Sequence, residues 1–313
     1  MKHAWLIACL SAACGGATVY DGVVYDERFG GATSMDIHVP EGTTAGAPGA
    51  AGAPGAAGAP DAAGAPDAAA AGRPAVMLIH GGGWRYGDKD AYTEAAERFA
   101  AAGYVAATIN YRLVPAGTYP AAVQDCLCAL SFLRANAAAY GIDPARIAVT
   151  GYSAGGHLAA LVGTGADAAA HQPDCAWGPT APPAAAIPGA GVYDLAAAGD
   201  NENGLVREFL GGTLEERPEQ YASASPLTHV RPGAPPFLIV HGSSDVVPLE
   251  PAHDLAAALR AAGSDVRMLE LGGAGHLTSS VTASDGVYLQ AATDTPEAWA
   301  VQLDFLARTV GAP

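Results

Sequence analysis

Basic residues are scarce in this sequence: 15 Lys and Arg stand against 31 Asp and Glu over 313 residues, a formal net charge of −16 at pH 7. So acidic a chain repels phosphate-bearing polymers, which argues against nucleic acid as a partner. Long apolar runs are missing as well. Half of the residues are apolar, partly through alanine in low-complexity sequence, yet no run reaches the roughly 18 residues that a membrane-spanning helix needs. Metal-ligand spacing is absent: Cys126, Cys128 and Cys175 fit no zinc pattern and have no histidine beside them. No metal and no cofactor are therefore expected. What remains is enough chain for one large domain with a full core.

The N-terminus carries Lys2 and His3, then an apolar stretch over 4–13 that reaches Cys14-Gly15-Gly16. This is the pattern of a secretory signal ending near residue 17. Ser11-Ala12-Ala13-Cys14 resembles a bacterial lipoprotein processing site, which makes Cys14 a candidate lipid anchor, with an ordinary secretory signal as the alternative. Leu6-Ile7-Ala8-Cys9 fits the lipoprotein letters better, but its apolar stretch is too short. Export to the periplasm, the medium or a bacterial membrane surface would permit disulfides. Cys126 and Cys128 lie two apart on an expected helix and face nearly opposite ways, so only one of them can reach Cys175. Which one stays open, and the other is expected to be a buried thiol.

Residues 46–72 repeat Gly-Ala-Pro and Ala-Ala-Gly-Ala-Pro with Asp61 and Asp67 as the only charges. Such a segment has nothing to bury, and a disordered loop is expected over 43–73. Before it lie only two strand-like runs, 19–25 and 33–39, parted by Gly30-Gly31. A hairpin is too small to be a domain, so the repeat reads as an expanded loop inside one domain spanning 18–313. Beyond it, short apolar runs alternate with helical stretches, the pattern of an α/β fold with a mostly parallel central sheet and helices on both faces. Strands are expected at 75–80, 104–110, 146–150, 184–187, 237–240 and 265–271. Helices are expected at 92–102, 121–136, 157–162, 251–262 and 297–308.

Two motifs carry chemistry. Gly151-Tyr152-Ser153-Ala154-Gly155 sits between an expected strand and an expected helix. That is the setting of a nucleophile elbow, in which glycines let the backbone close tightly around an exposed serine. A serine hydroxyl is a poor nucleophile alone and needs a base and donors for the oxyanion that forms. His80-Gly81-Gly82-Gly83-Trp84 ends another expected strand, and in this motif type the donors are the amides of Gly82, Gly83 and Ala154. A phosphate loop would need a Gly-Lys-Ser/Thr ending, which is missing.

These runs, with Asn110-Tyr111-Arg112-Leu113, Tyr119-Pro120-Ala121 and Gly141-Ile142-Asp143-Pro144, resemble the α/β-hydrolase carboxylesterases of the hormone-sensitive-lipase and bacterial feruloyl-esterase-like groups. The resemblance runs from about Val24 to the C-terminus, apart from the Gly-Ala-Pro loop and the stretch after His276. It implies an α/β-hydrolase fold and a chain order of nucleophile, acid, histidine. Asp245, in His241-Gly242-Ser243-Ser244-Asp245 after a late strand, is then the acid, with Asp194 as competitor. His276, in Gly272-Gly273-Ala274-Gly275-His276, is the histidine. His38, His171, His229 and His253 read as structural or exposed, and His80, His157 and His241 as scaffolding that orients loops.

Trp84 and Tyr152 flank the oxyanion loop and the nucleophile, and either lines a substrate pocket or packs. Residues 190–230 are expected to form cap or rim structure. The expected activity is hydrolysis of a small or aryl carboxylic ester through an acyl-enzyme. An arylformamidase or peptidase of the same fold is the near alternative, and a catalytically silent binding protein the distant one.

Overall fold

Strands covered on both faces read as unbroken apolar runs, and each residue then faces one of two cores in alternation. The computed structural model, which describes residues 16–44, 72–198, 204–283, 286–291 and 295–313 and the side chains of these outside 277–294, shows this directly. In β3 (Arg73–Ile79), Ala75, Met77 and Ile79 face one core while Val76 and Leu78 face the other. An eight-stranded sheet is built from β1 (Thr18–Val24), β2 (Ser34–Val39), β3, β4 (Val105–Ile109), β5 (Ile142–Tyr152), β6 (Ala185–Gly189), β7 (Phe237–Gly242) and β8 (Val266–Leu271). Its order is β1-β2-β4-β3-β5-β6-β7-β8. β2 runs antiparallel to β1 and β4, and all other neighbours are parallel.

Helices cover both faces. α1 (Thr93–Ala101) and α8 (Pro296–Thr309) bury Phe99, Phe305 and Leu306 against one face. α2 (Ala121–Ala135), α3 (Ala154–Gly165) and α7 (Glu250–Ala261) fill the other. The start of α8 shows why it forms where it does: the Thr295 side chain accepts the Ala298 amide, and Pro296 stands in the first turn, where it forfeits no bond. Three short helices, α4 (Leu195–Ala198), α5 (Leu205–Leu210) and α6 (Pro218–Ala224), occupy the stretch expected to be rim.

The chain thus has the α/β-hydrolase fold. The leader with Cys14 and the repeat over 45–71 lie outside the described residues. Both flanks of the repeat lie in one sheet, because β2 and β3 each pair with β4. The expected loop bounds of 43–73 are too wide: the Thr43 hydroxyl donates to Pro40 O at 2.6 Å, and Arg73 already opens β3. β5 begins at Ile142 rather than 146, since a register shift against Arg73 and Ala75 carries the strand through the Asp143-Pro144 turn signal. A hairpin of β9 (Leu277–Ala283) and β10 (Gly286–Ala291) was not expected at all. No helix among the described residues is long and apolar enough to cross a membrane.

The cysteine question is answered: Cys128 bonds to Cys175 across a Cα separation of 6.3 Å, and Cys126 is the buried free thiol. The bridge ties α2 to the segment between α3 and β6. Chain-entropy reasoning for a separation of 47 residues gives at most about 4 kcal/mol of stabilisation. Replacing both partners with serine is expected to lower the urea-unfolding free energy by about 2–4 kcal/mol. A loss below about 0.5 kcal/mol would show the bridge to be mechanically idle.

Candidate active site

Four loops at the C-terminal edge of the sheet supply the site, the edge where open α/β sheets hold their ligands. The elbow between β5 and α3 comes first. Ser153 has φ 59° and ψ −123°, a conformation that costs a non-glycine residue about 1–3 kcal/mol. Its amide donates to Gly189 O at 2.9 Å, and its carbonyl accepts the His157 amide at 2.9 Å, so both neighbouring elements hold it there. Close packing explains the flanking glycine: a Cβ at Gly155 would lie 2.0 Å from Ile79 O.

The loop after β3 presses against this elbow, and a Cβ at Gly81 would lie 3.3 Å from Ser153 Cβ. Gly82 and Gly83 take φ of 108° and 61°, and their amides donate to no acceptor among the described residues. The Ala154 amide, in the first turn of α3, is one of the helix's orphan donors and sits at the positive end of its dipole. Three backbone donors thus flank one strained serine, the kind of arrangement that can hold a developing oxyanion.

The loops after β7 and β8 are zipped together. The Ser243 amide donates to Leu271 O, the Ser244 amide to Ala274 O, and the Gly273 amide to Ser243 Oγ. That zipper sets Asp245 against His276, with Nδ1 and Oδ1 2.7 Å apart. The carboxylate side chain is fully buried while the imidazole keeps about a fifth of its surface exposed. Burial alone would raise the Asp245 pKa, but hydrogen bonds from the His276 ring and the Val247 amide outweigh it and hold the carboxyl below its usual range. Asp245 therefore stays ionised and fixes Nδ1–H, leaving Nε2 as the nitrogen free to take a proton. The Ser153 hydroxyl makes no hydrogen bond to the His276 ring among the described residues; in serine hydrolases this contact tightens in the substrate complex.

The competitor Asp194 is otherwise engaged, its Oδ1 accepting the Ala197 amide at the start of α4. Trp84 and Tyr152 are not open pocket walls: they are 3 % and 4 % exposed. Trp84 stacks on Phe209 with centroids 4.5 Å apart, and its Nε1 donates to His157 Nδ1 at 3.2 Å. Tyr152 packs its ring 5.0 Å from that of His276, with its hydroxyl on Asp245 Oδ2 at 3.1 Å. His80 donates to Gly81 O and His241 to Val247 O, each pinning a loop, as the sequence suggested. Sequence reasoning missed the residues of α5. Leu205 abuts Gly83, Phe209 lies on Trp84, and Glu208 pairs with Arg85 at 2.7 Å, so this helix caps the oxyanion loop. Among the described residues, no group of three or more His, Cys, Asp or Glu could hold a metal ion.

The BD-FAE family model matches residues 64–259. Esterase LipC of Mycobacterium tuberculosis is 37 % identical over 211 residues, covering 65 % of this chain and 52 % of that protein. Esterase LipQ of the same organism is 38 % identical over 212 residues, 65 % of this chain and 50 % of its own. The chain spans about half the length of these curated relatives. Among solved structures, a truncated carbohydrate esterase from gut microbiota superposes with a TM-score of 0.73 at 22 % identity, over 94 % of this chain and 96 % of that one. Esterase 2 of Thermogutta terrifontis, phosphoramylated by tabun, gives 0.65 at 25 % identity, over 95 % and 96 %.

His157 yields a prediction. With Nδ1 accepting from Trp84, Nε2 carries the proton and donates to Ala224 O at 2.8 Å, so the ring is neutral and buried. Burial lowers its pKa to about 4, against about 6.5 in an unfolded chain. Between those values the unfolded state binds a proton that the native state refuses, so stability falls as pH drops from 6.5 towards 4. The loss from this group is about 3 kcal/mol, and buried His38, His80 and His171, also lowered by burial, act in the same direction. Chemical denaturation at pH 7.5 and 4.5 is expected to show it; a stability unchanged between the two would sink the assignment of a neutral, buried His157.

Proposed function

The chain belongs to the BD-FAE family, and from that premise we propose that it hydrolyses carboxylic esters through an acyl-enzyme, with Ser153 as nucleophile, His276 as base and Asp245 as orienting acid. The observation that carries this is the Asp245–His276 pair at 2.7 Å, its carboxylate buried, set on the same sheet edge as a serine held at positive φ. Ser153 Oγ attacks the carbonyl carbon while His276 Nε2 takes the hydroxyl proton. The carbonyl oxygen becomes an oxyanion held by the amides of Gly82, Gly83 and Ala154. Collapse of that intermediate breaks the ester C–O bond, and the alcohol leaves with the proton from His276. Water then gives a proton to His276 and attacks the acyl carbon. Release of the acid returns the proton to Ser153.

The names of the relatives support the bond class, since LipC and LipQ are both called esterases. The ground between the loop after β3 and α5 is open. A cleft of about 430 Å³ opens there, lined by Arg85, Val114, Pro115, Thr118, Glu208 and Gly211. Export, with Cys14 as a lipid anchor, belongs to the same proposal, and the Cys128–Cys175 bridge supports it because disulfides persist in oxidising compartments. Mass spectrometry of the mature N-terminus tests this, an unmodified residue at 14 arguing against the anchor.

Short p-nitrophenyl acyl esters are expected to turn over, and Ser153→Ala to reduce kcat by about 10⁴-fold or more. Stoichiometric labelling by a fluorophosphonate is expected in the wild type and absent in that variant; the Thermogutta esterase is likewise seen phosphonylated by sarin and by cyclosarin. An unchanged rate in Ser153→Ala refutes the assignment. A panel of acetyl to long-chain esters, methyl ferulate, N-formylkynurenine and an aminoacyl anilide assigns the bond: faster turnover of either amide than of every ester would overturn ester hydrolysis.

A further inference from the structure

Tyr152, the residue before the nucleophile, ends β5 with its side chain between the acid and the histidine. Its hydroxyl is within hydrogen-bond reach of Asp245 Oδ2, at 3.1 Å, and of the His276 carbonyl oxygen. Its ring lies 5.0 Å from the imidazole, tilted by 42°. The whole residue is buried. The Asp245 oxygens are served unequally: Oδ1 takes the His276 ring and the Val247 amide, whereas Tyr152 is the donor to Oδ2 among the described residues.

We propose that Tyr152 is a positioning residue for the triad, its phenol hydroxyl fixing the Asp245 carboxylate and the His276 backbone to the same strand end that carries Ser153. This rests on the triad reading above. The single hydroxyl proton is shared between a carboxylate oxygen and a backbone carbonyl that belong to different loops. A buried carboxylate oxygen stripped of its donor can rotate out of the plane that holds Nδ1–H, and hydrogen bonds to charged groups are the stronger kind. Because Ser153 follows Tyr152 directly, one short piece of chain then sets the nucleophile relative to both partners. The zipper between the loops fixes them to each other; Tyr152 fixes them to the elbow.

Tyr152→Phe keeps the ring against His276 and removes only the hydroxyl. With rates expressed per fluorophosphonate-titrated site, so that misfolded protein does not count, kcat for a p-nitrophenyl ester is expected to fall about tenfold or more with KM changed less than about twofold. In an Asp245→Asn background the same change is expected to add less than about twofold, because the group it acts through is already lost. A Tyr152→Phe enzyme with wild-type kcat overturns the proposal, and so do two effects that multiply in the double variant. A raised KM at unchanged kcat also overturns it and makes Tyr152 a substrate contact. Absence of both turnover and labelling in the wild type would instead strike the triad reading itself.

Discussion

Everything at this site depends on how closely two backbones approach where β3 and β5 end. Side-chain-free positions are required there: a Cβ at Gly155 would sit 2.0 Å from Ile79 O, and one at Gly151 would sit 2.5 Å from Gly155 O. With that contact made, β5 can end at Tyr152 and α3 begin at Ala154, with Ser153 at φ 59° the single residue of the turn. The parallel pairing of Ile79 with Gly151 then brings the triple-glycine loop over the serine. The strain at one residue is offset by bonds on either side, its amide donating to Gly189 O and its carbonyl accepting from the His157 amide. An alanine at 155 would push the start of α3 off the end of β3 and displace the turn that holds Ser153.

Two kinds of support hold the remaining groups, and they differ in physical character. The acid and base loops are fixed by backbone hydrogen bonds to one another, which depend little on which side chains surround them. The oxyanion loop is fixed by packing: Trp84 stacks on Phe209, meets His157 edge-on and leaves Gly83 under Leu205. His157 joins the two regimes, since it belongs to the first turns of α3, accepts from Trp84 and donates to Ala224 at the end of α6. The rim helices are therefore structural partners of the oxyanion loop. A change in α5 would therefore also shift the loop that carries the Gly82 and Gly83 amides.

How much of this was legible in the sequence follows from which interactions are local. Gly-X-Ser-X-Gly and the triple glycine were readable because close approach leaves glycine little alternative. Asp245 and His276 were nominated from chain order and from the late strands each follows, and the fold brings the two side chains to 2.7 Å. Sequence spacing could not reveal that Tyr152 turns towards the acid and histidine, since its partners stand 93 and 124 residues away. The same holds for Arg85 with Glu208, 123 residues apart. The missed β9–β10 hairpin is different: runs rich in Thr, Ser, Val and Tyr flank Asp285-Gly286, a turn signal that was available. Cys128 rather than Cys126 reaches Cys175 because helix α2 is buried on nearly all sides, and only the fold says which side meets the segment after α3.

The position of the Gly-Ala-Pro repeat follows from the same topology. β2 runs antiparallel to β4, and His38 stands opposite Ala106 while Ala75 stands beside Val105. The end of β2 and the start of β3 thus lie together at the N-terminal edge of the parallel strands, opposite the edge that carries Ser153, Asp245 and His276. An insertion there adds loop-closure entropy that grows only with the logarithm of its length, about 0.6 kcal/mol per doubling. The contacts that set the elbow lie at the other edge of the sheet. The same insertion after β3, β5, β7 or β8 would divide a loop whose hydrogen bonds the site requires. Tolerance to sequence expansion is in this way a property of which sheet edge a connection leaves from, and the strand ends that flank the repeat stand at the edge opposite Ser153, Asp245 and His276.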